Sequence, residues 1–224
     1  MEKEEYFERT LSFWNKISKE QQKLFLDKSQ LKSFHAGETM HAEHKNCSGL
    51  FLIKKGQVRA YIVSESGKEI TLYRLLDGDL CIFSASCMLK NINFDVFVEA
   101  EKDTESYLIP VKEFEKISKV CMPVLEYTNE LLASRFSDVM WIMEQVVFQS
   151  FDKRLANFLL EQSNMEGSDT FSITQEKIAR HLGSAREVVS RMMKYFVEEG
   201  MITLARGKIT INNYEKLNQL VDSK

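Results

Sequence analysis

The chain has 224 residues, 44% of them hydrophobic and 28% charged, with a formal net charge of −3. That is apolar material for one large core or two small ones, which excludes a disordered tail, and two prolines with nine glycines exclude a collagen-like or linker-rich chain. The acidic start, Met1-Glu2-Lys3-Glu4-Glu5, lacks the basic and apolar regions of a signal peptide, and no apolar run approaches the roughly 18 residues of a membrane span. The expected location is the cytoplasm, with no membrane partner and with thiols reduced. Cys47, Cys81, Cys87 and Cys121 form no C-x-x-C pair, so neither a disulfide framework nor a zinc ribbon is expected.

Residues 6–30 carry helix-like spacing, with Phe7, Leu11, Phe13, Trp14 and Ile17 among charges. From about 33 to 110 the pattern becomes short apolar runs broken by glycine. Leu50-Phe51-Leu52-Ile53 precedes Gly56, and Val58, Ala60 and Ile62 alternate with Arg59 and Tyr61 as in a half-buried strand. A turn at 64–67 leads to Ile70-Thr71-Leu72-Tyr73, Gly78-Asp79 breaks the chain again, and Val96-Phe97-Val98 and Tyr107-Leu108-Ile109 close the region. Strands at this spacing predict a small barrel or jelly roll.

From Pro123 the period is helical, since proline at a first helical position loses no hydrogen bond. Leu125, Leu132, Val139 and Val146 recur every seven residues, with Phe136 and Met143 four after Leu132 and Val139. This is either a helix packed on its own domain or the seam of a dimer, and three heptads favour the dimer. A second helix is expected over 152–162, with Leu155, Phe158 and Leu159 on one face, then a polar turn over 164–169.

The residues from Ser172 onward hold nine lysines and arginines against six acidic residues, a surplus of three on a remainder that is six units negative. Thr174 suits an N-cap, Ile178, Ala179 and Leu182 an inner helix face, and Gly183 a left-handed stop. Ser184-Ala185-Arg186-Glu187 reads as a capping box opening a second helix over 184–199. Helices so closely joined describe a helix-turn-helix. In the second helix Ala185, Val189, Met192, Met193 and Phe196 share one side, while Glu187, Ser190, Arg191, Lys194 and Glu198 lie opposite with Arg186 at the edge. Arginine can bond guanine bidentately and glutamate can accept from cytosine, so Arg186, Glu187, Ser190 and Arg191 are the expected base readers in a major groove. Arg206-Gly207-Lys208, between Met201-Ile202-Thr203-Leu204 and Ile209-Thr210-Ile211, predicts the basic tip of a wing. Thr174, Gln175, Ser184, Lys194, Arg206 and Lys208 are the expected phosphate contacts.

On these residues, from Ile173-Thr174-Gln175-Glu176-Lys177-Ile178-Ala179 through Ser184-Ala185-Arg186-Glu187-Val188-Val189-Ser190-Arg191, the chain resembles the cyclic-AMP receptor protein/FNR family of bacterial transcription regulators over about residues 20–220. Arg186, Glu187 and Arg191 match the Arg-Glu-x-x-x-Arg of one branch, and Glu187, Ser190 and Arg191 the Glu-x-x-Ser-Arg of the other. The resemblance implies an α+β fold: an N-terminal double-stranded β-roll of jelly-roll type, a long dimerisation helix and a C-terminal winged helix-turn-helix. It also implies a parallel homodimer on palindromic double-stranded DNA with half-sites related to TGTGA or TTGAT, RNA polymerase as a further partner, and an effector-sensing roll. The corresponding domains are residues 1–122, 123–147 and 148–224.

The sensor half departs from both branches. Where the cyclic-nucleotide branch carries Arg-Ser, the chain reads Phe94-Asp95, and the purine-contacting positions of the long helix fall at Met140 and Trp141. A carboxylate repels a cyclic phosphate, so no cyclic AMP binding is expected. The absence of cysteine before Cys47 argues against the FNR iron–sulfur cluster. The effector and any cofactor stay unassigned. The candidate effector pocket is Cys81, Phe83, Ser84, Cys87, Phe94, Asp95, Met140 and Trp141, with Cys81 and Cys87 open to reading as buried core, redox pair or ligand site. His41-x-x-His44-x-x-Cys47 reads as surface polar residues rather than a metal site, and His35 and His181 as structural. Two other functions compete. A cupin-like enzyme needs a His/Glu cluster on facing strands, which His35, His41 and His44 do not supply, and no catalytic motif is present. An interaction protein that no longer reads DNA has no reason to keep Arg186, Glu187 and Arg191. The chain is not expected to be an enzyme.

Overall fold

The computed structural model describes residues 2–42, 49–84 and 95–223. In chain order these form α1 (Lys3–Thr10), a 3₁₀ turn (Trp14–Lys16), α2 (Lys19–Lys28), β1 (Gln30–Phe34), β2 (Thr39–Ala42), β3 (Leu50–Lys55), β4 (Val58–Val63), β5 (Glu69–Leu75), β6 (Leu80–Cys81), β7 (Phe97–Ala100), β8 (Thr104–Ile109), α3 (Val111–Ser118), α4 (Met122–Phe148), α5 (Phe151–Glu166), β9 (Thr170–Phe171), α6 (Gln175–Leu182), α7 (Arg186–Glu198), β10 (Ile202–Ala205), β11 (Lys208–Ile211) and α8 (Tyr214–Asp222). The architecture is α+β, as expected. The chain divides into two compact units, residues 1–63 with 72–139 and residues 64–71 with 140–224, so the division falls inside α4.

The first unit holds two antiparallel four-stranded sheets, in the orders β1-β8-β3-β6 and β2-β7-β4-β5. Short strands hydrogen-bonded to sequence-distant partners, such as β3 to β8 and β4 to β7, make the expected roll. Two apolar cores serve it. One is aromatic: Phe7, Phe13, Trp14 and Phe25 from the N-terminal helices pack with Leu50, Leu52, Tyr107 and Phe114. Phe7 meets Trp14 and Tyr107 edge to face at 5.4 and 5.2 Å, geometries in which ring edges face ring clouds. The other core lies under β4, β5 and β7 and includes Phe51, Ile53, Tyr73, Cys81, Ile82 and Phe83, with Leu131, Leu132 and Val139 of α4 packed against it.

The alternation in β4 promises one polar face, and the structure differs. Val58, Arg59, Ala60 and Tyr61 are all buried. Arg59, 2% exposed, is compensated by Glu99 directly across on β7 at 3.2 Å and lies 4.0 Å over the Tyr61 ring. A buried charge is tolerable only with such partners, so the second face of the strand is closed by a cross-strand pair that alternation cannot reveal. His41 is also buried, on β2, against the surface role read from its spacing, whereas His35 is exposed beside Asp103, against its structural reading. His44 and Cys47 lie outside the described residues.

α4 begins at Met122 with Pro123 in its first turn, close to the expected start. α5 reaches Glu166, four residues beyond the expected end, and stops where Gly167 adopts φ +60°. In the second unit, Leu155, Phe158 and Leu159 of α5 join Phe171, Ile178, Val189, Met193, Phe196, Ile202, Ile209, Ile211 and Leu217 in one core.

Two glycines of the roll separate steric from conformational demand. Gly56 has φ +120°, and a Cβ there would stand 2.8 Å from both the Asp103 carbonyl oxygen and Thr104 Cα; Gly67 has φ +77° with open space around it. Gly56→Ala is therefore expected to cost more than about 3 kcal/mol and Gly67→Ala about 1 kcal/mol. Denaturant unfolding measures both, and equal losses would contradict the assignment.

Candidate nucleic-acid interface

The second unit builds one exposed polar surface from α6, α7 and the β10–β11 hairpin. Thr174 caps α6, its hydroxyl accepting from the Lys177 N–H at 3.1 Å, and Gly183 ends the helix at φ +63°. Both features follow the sequence. The capping box does not. The Ser184 N–H closes α6 by donating to the Ala179 carbonyl at 3.0 Å. The chain therefore needs one more extended residue, Ala185 becomes the N-cap without a side-chain bond, and α7 runs over Arg186–Glu198 rather than 184–199. Ala185, read as an inner residue, is consequently exposed.

The turn between the helices is held from two sides. Arg154 of α5 donates to the Leu182 carbonyl at 3.0 Å, supplying one of the helix-end carbonyls with a cation, and burial lowers the pKa of that guanidinium. Residues 64–71 belong to this unit and grip the same end of α6. Ile70 forms an antiparallel bridge with Leu182, Arg180 Nε meets Glu69 at 2.9 Å, and Thr71 Oγ1 lies 2.8 Å from His181 Nδ1. His181, itself buried, is structural as read from the sequence.

Val189, Met193 and Phe196, each fully buried, fix the rotation of α7 about its axis. With that side fixed, Arg186, Glu187, Ser190, Arg191 and Lys194, spaced three and four apart, stack along the outer side. Together with Gln175 of α6 they line one open surface depression. Its charged groups are three cations and one carboxylate, and Glu187 sits in the first turn, where the helix dipole favours an anion. At 1.5 Å per residue the row from Arg186 to Lys194 is about 12 Å long, which matches a major groove about 12 Å wide. All four expected base readers and two of the expected phosphate contacts are thus brought together.

The hairpin supplies a second basic point. β10 and β11 pair from Ile202↔Ile211 to Ala205↔Lys208, leaving Arg206-Gly207 as a two-residue loop, and β9 adds a third strand. Ile202, Ile209 and Ile211 are buried while Arg206 and Lys208 are exposed, so the wing is anchored by its isoleucines and presents its cations outward.

The remaining expected site residues are less united. Cys81, Phe83 and Ser84 are buried in the roll, where Ser84 Oγ donates to the Cys81 carbonyl at 2.9 Å. Burial pushes the Cys81 thiol up in pKa, which disfavours the thiolate that redox chemistry needs. Asp95 is exposed, as are Met140 and Trp141 at 41% and 42%. Cys87 and Phe94 lie outside the described residues. On α4, Leu125, Phe136, Met143 and Val146 are exposed, but Leu132 and Val139 are partly buried against the core of the roll, so the heptad stripe is split between two uses. Sequence reasoning missed Arg154, Glu69 and Thr71, whose partners on α6 lie far away in sequence. Among the described residues no helix is long and apolar enough to cross a membrane, and no group of three His, Cys, Asp or Glu side chains is placed to hold a metal ion.

Comparison with known proteins agrees with this geometry. Residues 153–220 match the Crp-like helix-turn-helix domain, and residues 31–120 match the cyclic nucleotide-binding domain. A crystal structure of a Crp/Fnr-family protein from Eubacterium rectale is 48% identical and superposes with a TM-score of 0.93, covering 96% of this chain and 100% of that one. The regulatory protein HlyX of Actinobacillus pleuropneumoniae is 26% identical over 200 residues, covering 86% of this chain and 78% of its own. The cAMP-activated global transcriptional regulator CRP of Pasteurella multocida is 24% identical over 194 residues, covering 84% and 91%. The chain belongs to the Crp/Fnr family of DNA-binding transcription regulators.

Proposed function

We propose that the protein acts as a homodimer on a palindromic DNA site, with α7 of each subunit in a major groove and with an effector other than cyclic AMP sensed in the roll. The observation that carries this reading is the row of Arg186, Glu187, Ser190, Arg191 and Lys194 beside Gln175 on a helix whose opposite side is fully committed to the core. Arg186, Glu187, Ser190 and Arg191 read base edges; Thr174, Gln175, Ser184, Lys194, Arg206 and Lys208 contact phosphates. Residues 1–122, 123–147 and 148–224 serve as sensor, dimerisation helix and DNA-binding domain. The protein works in the cytoplasm, has RNA polymerase as a partner, and is not an enzyme.

The dimer is supported by exposed apolar surface. Nine of the sixteen large apolar side chains exposed among the described residues lie on α4. At 100° per residue, Leu125, Phe136, Met143 and Val147 fall within about 40° of one another. A contiguous apolar stripe on a long helix wants a partner of the same shape, and a second copy supplies one. Two α7 helices on one face of the duplex would then be spaced by about 34 Å. The effector would be taken up around Cys81, Phe83 and Ser84. Phe94-Asp95 in place of the family's Arg-Ser supports an effector other than cyclic AMP, and calorimetry with cyclic AMP is expected to give no saturable heat.

Mobility-shift titration on a palindromic operator tests the reading directly. Arg191→Ala is expected to relax base preference and lose about 1–3 kcal/mol per half-site. Lys208→Ala is expected to weaken all sequences alike and to reduce the salt slope by about one per subunit. Identical behaviour of the two variants across operators would refute the division into readers and positioners. Phe136→Asp places a charge in the apolar stripe and is expected to shift the sedimenting species from dimer to monomer; an unchanged dimer would place the interface elsewhere.

A further inference from the structure

The apolar stripe of α4 contains one polar residue at a position its repeat otherwise fills with apolar ones. Leu125, Leu132, Val139 and Val146 occupy one place in the heptad, and the place four residues later holds Asn129, Phe136 and Met143, with Met122 one heptad earlier. In coiled-coil terms the first series is d and the second is a. Met122, Phe136 and Met143 are exposed at 63%, 67% and 54%, and Asn129 is exposed with them. At 100° per residue Asn129 stands within about 40° of Leu125, Phe136 and Met143, so it lies in the stripe. Its amide has no hydrogen-bond partner among the described residues.

Charge does not decide how two such helices align. Of the e and g positions flanking the stripe between 125 and 147, Glu126 and Arg135 alone are charged, and Arg135 donates to Asp138 of its own helix at 2.8 Å. In a parallel pair an e position faces the g position five residues earlier on the other copy, which gives neither of them an opposite charge.

We propose that Asn129 bonds to its own counterpart in a second copy of the chain and thereby fixes the dimer as parallel and in register. The inference rests on the reading of α4 as a dimer interface and names the residue that decides its alignment. An amide both donates and accepts, so its best match inside an apolar seam is an identical amide. That match exists only when both helices run the same way with no offset. In an antiparallel pair an a position packs against a d position, where this seam holds leucine and valine. In a parallel pair offset by one heptad, the two asparagines meet Met122 and Phe136. Either arrangement buries an amide without a partner, which is the costly case. A heptad offset also moves one chain along the other by about 10 Å. It destroys the two-fold axis that a palindromic site requires. Phe136 and Met143 supply the attraction between the helices, and Asn129 selects the arrangement.

The test uses the full chain and Asn129→Ile, since isoleucine at a suits a two-stranded seam. Sedimentation is expected to show a variant dimer roughly tenfold tighter or more, because apolar contact replaces an amide pair. An asparagine that faces water in the dimer would leave dissociation unchanged. Wild-type and Asn129→Ile chains carrying different mass tags are then mixed, equilibrated and counted by native mass spectrometry. Mixed dimers are expected to fall roughly tenfold below random pairing, because isoleucine opposite asparagine strands an amide. Asn129→Asp and Asn129→Lys provide an independent pair: each is expected to dimerise more weakly alone, and the two to pair with each other in preference to themselves. Unchanged dissociation with random mixing, or no preference of the Asp variant for the Lys variant, in a dimer that Phe136→Asp does break, overturns the asparagine pair alone. A wild-type chain that stays monomeric, or a dimer that Phe136→Asp leaves intact, refutes the α4 interface and the proposal with it.

Discussion

The rotation of one thirteen-residue helix governs the chemistry of the second unit. Val189, Met193 and Phe196 have no exposed surface, and each would carry a penalty of several kcal/mol if truncated in so closely packed a core. A turn of α7 by even one position would drive a charged side chain into that core and bring an apolar one to the surface. The direction in which Arg186, Glu187 and Arg191 point is thus set by residues that never meet water. Around this helix every neighbour contributes stiffness: α6 through its capped start and glycine stop, Arg154 through the Leu182 carbonyl, and β10–β11 through three buried isoleucines.

The roll meets a different constraint. Its second sheet is buried on both sides of β4, and it keeps charges inside by pairing them across strands. Arg59 with Glu99, and Arg74 with Glu101 at 3.1 Å, place four ionised groups under cover. Such pairs contribute little net stability, because desolvation offsets attraction, but removing one member leaves a costly orphan. They therefore specify register more than they add stability: a slip of β4 against β7 by one residue would separate Arg59 from Glu99 and part Tyr61 from Phe97, on which it stacks at 5.4 Å.

Much of this was legible in the sequence for a physical reason. Helix-turn-helix and wing are local: caps, stops and turns depend on residues within a few positions, so Thr174, Gly183 and Arg206-Gly207 announce them. The exposed and buried sides of α7 follow from periodicity alone. What escaped was set by partners distant in the chain. Arg59 and His41 read as surface residues until Glu99 and the opposing sheet are known. The capping box over 184–187 failed because the Ser184 N–H was already engaged in ending α6, a competition between adjacent motifs. The stripe on α4 was legible as apolar but not as divided, since Leu132 and Val139 are claimed by a roll that the helical period cannot see. Of the expected effector pocket, Cys81, Phe83 and Ser84 share the interior of the roll, while Met140 and Trp141 stand exposed.

The grip of residues 69–71 on α6 bears on how the gene can be cut. Its bonds join positions 110 and 111 residues apart, so the C-terminal unit is discontinuous in sequence. An expression fragment that began at α5, at the boundary suggested by the match to the helix-turn-helix domain alone, would lack Glu69, Ile70 and Thr71 and uncover the end of α6 against which they lie. Joining the 64–71 segment to that fragment by a short linker would restore the missing side of the turn.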